Sequence, residues 1–184
     1  PQLSGAAPLL GGVLCPLLLH AYPDGAPPGH TGAPGEDSCS ACHAGPEATR
    51  DAGLRLEGLP SHYEPGRTYR FALILEDPTA KAAGFQLRIF PRAERWQGEP
   101  AGTLKPVDTE RLQVQHKDGI RYLGHLKAAT RSDKDPVTWQ VEWQAPDKAQ
   151  GPLTVHAAAV AGNDDASSFG DTVHVLEYLL DVPQ

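Results

Sequence analysis

The alternation of apolar and polar residues from about residue 62 onward predicts a series of short β-strands. The clearest run covers 137–143, where Val137, Trp139, Val141 and Trp143 alternate with polar residues. Because successive side chains in a strand point to opposite faces, this spacing indicates a strand with one buried face. Alternating or continuous apolar runs predict further strands at 69–75, 84–91, 111–116, 120–126, 153–161 and 172–180.

The turns between these runs indicate how the strands are connected. Lys117-Asp118-Gly119 separates two of them and is typical of a tight hairpin. About seven short strands with turns between them predict an all-β fold, an immunoglobulin-like antiparallel sandwich. The run 153–161 is apolar except for Thr154 and His156, which predicts a central strand.

Composition changes this picture before residue 60. The chain has 19 glycines and 18 prolines, and residues 23–60 carry many of them, so we expect a loop-rich segment there. The net charge is −7 and no Lys/Arg cluster is present, which argues against a nucleic-acid partner.

The first 22 residues form a separate apolar segment. Residues 8–22 read PLLGGVLCPLLLHAY, which has the length of a signal-peptide core and is too short and Pro-interrupted for a clean membrane span. We expect an N-terminal anchor or docking segment, with membrane contact through 8–22. Lipidation of Cys15 is disfavoured because Leu14 is a poor residue before a lipidated cysteine.

One motif in the loop-rich segment carries chemistry. Cys39-Ser40-Ala41-Cys42-His43 has the CxxCH spacing of covalent c-type haem attachment. Cys39 and Cys42 would form the thioethers and His43 would be the proximal iron ligand. Three other interpretations stay open: a zinc site, although no second ligand pair is present; a thioredoxin-like redox pair; and a local disulfide.

The sixth ligand of such a haem is restricted by composition. The chain contains no methionine, so the common His/Met pair is excluded and a second histidine is expected unless the site is open. His125, at the end of a predicted strand, is the first candidate because a strand end is a rigid position. His156 and His30 are the alternatives.

These motifs together resemble a known family. The run GHTGAPGEDSCSACH at 29–43 is followed in order by YEPG at 63–66, GFQL at 84–87, YLGH at 122–125 and WQVEWQAP at 139–146. This series is similar to exported bacterial monohaem c-type cytochromes with a reelin-like (Reeler-type) β-sandwich. The resemblance implies one haem-bearing segment packed on the sandwich, and it makes the histidine of the YxxH segment, His125, a natural ligand.

The resulting domain hypothesis has three parts: an N-terminal segment at 1–22, a loop-rich CxxCH haem-binding segment at 23–60 and a reelin-like sandwich at 61–184. The function expected from it is single-electron transport with one covalent haem c, without enzymatic activity. The expected location is periplasmic or extracytoplasmic and membrane-associated. The partner would be a membrane-bound redox complex, respiratory or photosynthetic, or a soluble electron-transfer protein. Two alternatives remain: a non-redox reelin-like binding or adhesion module, and a haem sensor with an open sixth site.

Overall fold

The fold is a sandwich of two antiparallel β-sheets. The computed structural model describes residues 22, 24–45, 53–93, 101–127, 130 and 136–182. In this part of the chain the strands are β1 Leu54–Glu57, β2 Thr68–Leu75, β3 Ala82–Pro91, β4 Thr103–Pro106, β5 Leu112–Lys117, β6 Ile120–His125, β7 Val137–Gln144, β8 Leu153–Gly162 and β9 Thr172–Leu180. The predicted all-β sandwich is confirmed.

The strands divide between a smaller and a larger sheet. The four-stranded sheet has the order β1-β2-β7-β4 and the five-stranded sheet the order β5-β6-β3-β8-β9. The predicted hairpin joins β5 to β6, and Asp118 and Gly119 in its turn both adopt positive φ. Strand β8 lies between β3 and β9, as its continuous apolar run predicts.

Two strands were missed by the sequence pattern. Both β1 and β4 have four residues, and each buries only one of them fully, Leu54 and Leu104 respectively. A run this short is not long enough to show a period of two, so pairing with a longer neighbour determines its conformation. Strand β1 also lies inside 23–60, so that segment is not loop throughout.

The core lies between the two sheets and is built from the predicted inward faces. The indole of Trp139 on β7 lies 4.6 Å, centroid to centroid, from the ring of Phe85 on β3. Trp143 stacks on Tyr69 at 5.6 Å and donates its indole hydrogen to the carbonyl oxygen of Ala101. Such aromatic contacts add to the free energy gained by burying large apolar side chains.

The outer face of the five-stranded sheet is also covered. Gln86 on β3 is only 1% exposed, although it alternates with the core residues Phe85 and Leu87. The covering element is the loop 24–45, which carries the CxxCH motif. This second layer is what positions the candidate site.

Within the described ranges, no helix is both long and apolar enough to cross a membrane. The predicted N-terminal anchor at 1–22 lies outside the described residues except for Tyr22.

Candidate functional site

The loop 24–45 is held on the outer face of the sheet by Gln86. The backbone N–H groups of Gly29 and His30 donate to its side-chain oxygen at 2.9 and 2.7 Å, and its amide nitrogen donates to the carbonyl of Pro27 at 3.1 Å. A loop that covers a sheet must find partners for its backbone polar groups. One buried glutamine supplies several of them.

A second attachment is centred on the carboxylate of Glu36. Thr31 donates its hydroxyl to this carboxylate at 2.6 Å, Tyr122 on β6 donates at 2.7 Å, and Arg88 on β3 forms an ion pair with it. The side chains of Glu36 and Arg88 are only 10% and 14% exposed. We call these four side chains the Glu36 cluster, and it joins the motif loop to two strands.

The cluster favours the charged form of its carboxylate. Burial alone would raise the pKa of Glu36, but the hydrogen bonds from Thr31 and Tyr122 and the charge of Arg88 outweigh it, so the pKa lies below its usual value. Burial, followed by the nearby Glu36 charge, raises the pKa of Tyr122 to about 12, which keeps its hydroxyl a donor.

Two glycines allow the close approach of the loop. Gly32 has φ +73°, and a Cβ there would lie 2.8 Å from Cγ1 of Val175 on β9. A Cβ on Gly45 would lie 1.8 Å from the carbonyl oxygen of Asp171. Larger residues at either position would push the loop away from the sheet.

The motif itself forms one short turn that is fixed at its C-terminal end. Cys39–Ala41 is a 3-10 helix whose first turn is capped by the side chain of Ser38. Ala44 forms an isolated bridge to Phe169, with backbone hydrogen bonds to Ser168 and Gly170. The loop before β9 therefore holds the residue next to His43.

Asp171 orients the ring of His43. The Nδ1 atom of His43 lies 2.6 Å from Oδ2 of Asp171, whose other oxygen accepts the backbone N–H of Asn163 at 3.1 Å. With Nδ1–H donating to the carboxylate, Nε2 keeps its lone pair. Such a carboxylate partner is the usual second contact of a histidine that binds a metal.

The motif forms one wall of a pocket of about 200 Å³ at the end of the five-stranded sheet. Strands β3 and β8 form the facing wall with small and apolar residues, among them Gly84, Phe85 and Val160. The chemically reactive groups that line this pocket are Cys39, Cys42, His43, His30 and His125. The structure thus brings the predicted thiols, the predicted proximal histidine and the first-ranked distal histidine to one place.

His125 is buried against β3. A Cβ on Gly84 would lie 2.5 Å from its Cε1 atom, so the ring occupies space that only a glycine leaves free. Burial lowers the pKa of His125, and the nearby His43 lowers it further. The hydrogen bonds to the backbone of Phe85 and Tyr22 raise the pKa, but by less. The imidazole is therefore neutral at physiological pH, as a metal ligand must be.

Either neutral tautomer of His125 has a partner. In one, the N–H of Phe85 donates to Nδ1 at 2.9 Å, and Nε2–H donates to the Tyr22 carbonyl oxygen, which lies 3.3 Å from Nε2. In the other, Nδ1–H donates to the Phe85 carbonyl oxygen at 3.1 Å, which leaves a lone pair on Nε2. The second tautomer is the one that could bind a ligand in the pocket.

The state of the two thiols disfavours redox exchange between them. Cys39 and Cys42 are both free, so the structure has no disulfide between them. Burial raises the pKa of Cys39 to about 12. Because the thiolate is the reactive form, this argues against a thioredoxin-like pair.

The alternative histidines fall in different places. His30 lines the same pocket as Cys39, and its Nδ1–H donates to the carbonyl oxygen of Pro27, 2.8 Å away. His156 on β8 lines a different cavity, and its Nε2 lies 3.9 Å from Glu177. The structure therefore does not bring His156 together with the motif.

Three residues of the site were not found from the sequence. Gln86, Glu36 and Asp171 come from separate parts of the chain, and none has a spacing that indicates its partner. The one available signal is Gln86, a polar residue inside a strongly apolar strand.

The fold is a reeler-like β-sandwich. Solved structures of the same fold include the human F-spondin reeler domain, at 21% identity and TM-score 0.55, where the match covers 76% of this chain and 95% of that one. The Reelin-N domain of F-spondin matches at 22% identity and TM-score 0.55, over 79% of this chain and 96% of that one. No family model matches the sequence, and neither does any curated protein.

One classification from the sequence needs correction. The motif predicts an iron-binding, electron-transport cytochrome of photosynthesis or respiration. In the described part of the chain, however, no three His, Cys, Asp or Glu side chains come together to hold a metal ion. The similar solved structures are Reeler domains. The metal-binding, electron-transport classification is therefore wrong, and the reeler-like sandwich is what the findings support.

The Glu36 cluster gives a pH prediction. The unfolded carboxyl titrates near 4.5 and the folded one lower, so its stabilisation is present above that pH and is lost as pH falls through the folded pKa. Glu36→Gln should lower the free energy of unfolding by about 3 kcal/mol at pH 7, because Arg88 keeps a buried charge without its counter-ion. The mutant should lose less stability than the wild type between pH 7 and pH 3. Urea unfolding at several pH values measures both effects.

Glu57→Gln is the matched control. Glu57 pairs with Arg55 on the surface, where its side chain is 60% exposed, and such pairs contribute little. Equal losses of the free energy of unfolding in Glu36→Gln and Glu57→Gln would contradict a special role for Glu36.

Proposed function

We propose that this chain is a non-enzymatic binding module whose binding site is the pocket between the CxxCH loop and the end of the five-stranded sheet. The observation that carries the proposal is the pocket's construction. Most of its lining surface is apolar, and polar side chains reach it from both sides, among them His43 from the loop and His125 from β6. This composition is typical of a site for a small organic ligand.

The pocket is pre-formed by contacts outside it. The Glu36 cluster and Gln86 hold the loop on one side, and Asp171 with the Ala44 bridge holds it on the other. Fixed walls reduce the ordering cost that a ligand must overcome. A pre-formed apolar pocket therefore favours binding over a purely structural role for the loop.

A neutral apolar dye tests the binding proposal. In the variant Cys39→Ser/Cys42→Ser, the pocket remains and covalent attachment is excluded. Nile red should bind this protein with a rise in fluorescence. Adding Val160→Trp should abolish most of the rise, because an indole fills much of a pocket of about 200 Å³.

Leu179→Trp is the control for that substitution, since Leu179 on β9 is 43% exposed and does not line the pocket. If the dye responds equally to both tryptophan variants, the pocket is not the binding site.

A second candidate concerns a covalent ligand, haem c, and a specific observation favours it. Two free thiols and three histidines, His30, His43 and His125, line one pocket. Cys39 and Cys42 would form the thioethers, His43 would bind the iron with its ring oriented by Asp171, and His125 would bind from the facing side. When bound, the group would supply a redox-active iron.

The residues of the pocket suit a haem chemically, but the pocket is too small to hold all of it. The pocket of about 200 Å³ is smaller than the usual ligand cavity of roughly 300–1,000 Å³. Part of a porphyrin would therefore remain outside the pocket.

Location and partner depend on this second candidate. Covalent haem attachment takes place outside the cytoplasm, so an extracytoplasmic location follows if the haem is present. A membrane-bound redox complex or a soluble electron-transfer protein is then the fitting partner.

The haem candidate is tested by the intact mass and spectrum of protein made in an exporting host with haem-attachment machinery. The wild type should carry the mass of one haem and show a low-spin EPR signal. Cys39→Ser/Cys42→Ser should lose the added mass, and Ser40→Ala, between the two cysteines, should keep it. His125→Ala should keep the mass but become high-spin, because one axial imidazole is gone.

The outcomes separate the two candidates. A colourless wild type with the mass of the polypeptide, combined with pocket-specific dye binding, removes the haem and keeps the binding module. A low-spin signal that survives in His125→Ala would assign the ligand to His30, which lines the same pocket.

A further inference from the structure

A second and larger cavity lies away from the CxxCH loop. Its volume is about 470 Å³, and its lining comes from β3, β4, β6, β8, β9 and the turn between β5 and β6. Pro34 is its one contribution from the motif loop. The groups that bind a ligand here would thus be different from those of the first pocket.

The cavity is rich in arginine in a chain of net charge −7. Arg88, Arg92 and Arg121 all line it, while Glu177 is the one acidic residue among the described lining residues. The carboxylate of Glu36 already pairs with Arg88, and Arg121 makes one long bond, 3.3 Å, to the hydroxyl of Thr103. The cavity therefore keeps an excess of positive charge.

One arginine donor at this site has no acceptor. The Nε atom of Arg88 is buried and, among the described residues, has no hydrogen-bond partner. A buried unsatisfied donor is costly, and it is commonly explained by a water or ligand that occupies the neighbouring space. An oxyanion in the cavity would supply an acceptor.

The remaining walls are apolar and aromatic. The guanidinium of Arg88 lies 4.3 Å from the ring centroid of Phe90, whose ring packs on that of His156 at 5.5 Å. Ile89, Leu104 and Ile120 add aliphatic surface. A bare inorganic anion would leave this surface without a partner.

We propose that this cavity is a second binding site, and that it takes a small organic carboxylate whose apolar body lies on Phe90 and the aliphatic wall. Guanidinium groups bind carboxylates with two parallel N–H donors. The apolar body gains the free energy of burial in the same cavity. The proposal is independent of any ligand at the CxxCH loop.

Calorimetric titration with benzoate tests the site, with benzamide as its uncharged analogue and inorganic phosphate as the bare anion. Benzoate should bind the wild type about tenfold or more tightly than benzamide, the difference of one charged hydrogen bond. Phosphate should bind more weakly than benzoate, because it has no apolar body. The variant Arg121→Gln should weaken benzoate binding by about tenfold or more.

Arg111→Gln is the matched control, because it removes the same charge at the other end of the β5–β6 hairpin and does not line the cavity. Its benzoate affinity should remain within about twofold of the wild type, a change smaller than one hydrogen bond. Equal weakening by Arg111→Gln would reduce the effect to net charge and overturn the proposal. Equal binding of benzoate and benzamide, or tighter binding of phosphate, would overturn it too. Unchanged thermal unfolding of the variants confirms that they are folded. The titration is repeated on Cys39→Ser/Cys42→Ser, where unchanged benzoate binding separates this site from the first pocket.

Discussion

The buried carboxylate of Glu36 is the constraint on which the candidate site depends. A sandwich needs only its inner faces covered, yet here the outer face of the larger sheet carries a loop that is rich in glycine and proline. Loop segments of this composition have little hydrophobic surface to bury and a large backbone entropy to lose. The charge-assisted bonds from Arg88 and Tyr122, one from each of two adjacent strands, offset that cost locally. With the loop fixed there, Cys39 and His43 have a defined place opposite His125.

Much of the fold follows from period-two patterning alone. The strand at 137–143 needed no tertiary information, because its alternating valines and tryptophans already define the inward face. Strand β8 was predicted as central from its continuous apolar run, and the covering loop explains why its second face is also buried. Strands β1 and β4 could not be predicted in this way. Each has only four residues, and each forms a strand because it pairs with a longer neighbouring strand.

The candidate site was predictable only where chemistry lies within a short motif. Cys39, Cys42 and His43 are defined by local spacing, and His125 was selected as a residue at a rigid strand end. Gln86, Glu36 and Asp171 are brought in by long-range contacts: 128 residues separate His43 from Asp171. A single sequence holds no record of such pairs. For His156 the strand was predicted correctly, but the prediction that it could be the distal ligand was not supported, because His156 lines a different cavity.

The motif and the fold lead to different conclusions about function. The pocket is the feature of the structure that bears on both. The CxxCH motif predicted an electron-transport cytochrome, and the comparisons with solved structures do not support that prediction. The fold alone says little about chemistry, since one architecture hosts many functions. The proposed function rests on the pocket, because its walls and its polar groups are observed in this chain. The proposal is first that the pocket is a binding site, and the identity of the occupant is a narrower question about the two thiols and the histidines that line it.

The central claim is that the CxxCH loop is fixed on the sheet and so forms a permanent pocket. Residue-resolved hydrogen exchange on the native protein measures this most directly. The amides of Gly29 and His30, which donate to Gln86, and that of Ala44, which donates to the Ser168 carbonyl, should exchange far more slowly than exposed amides. Exchange of these three amides at the rate of an unstructured chain, while the sheet amides remain protected, would show that the loop is detached and would contradict the account.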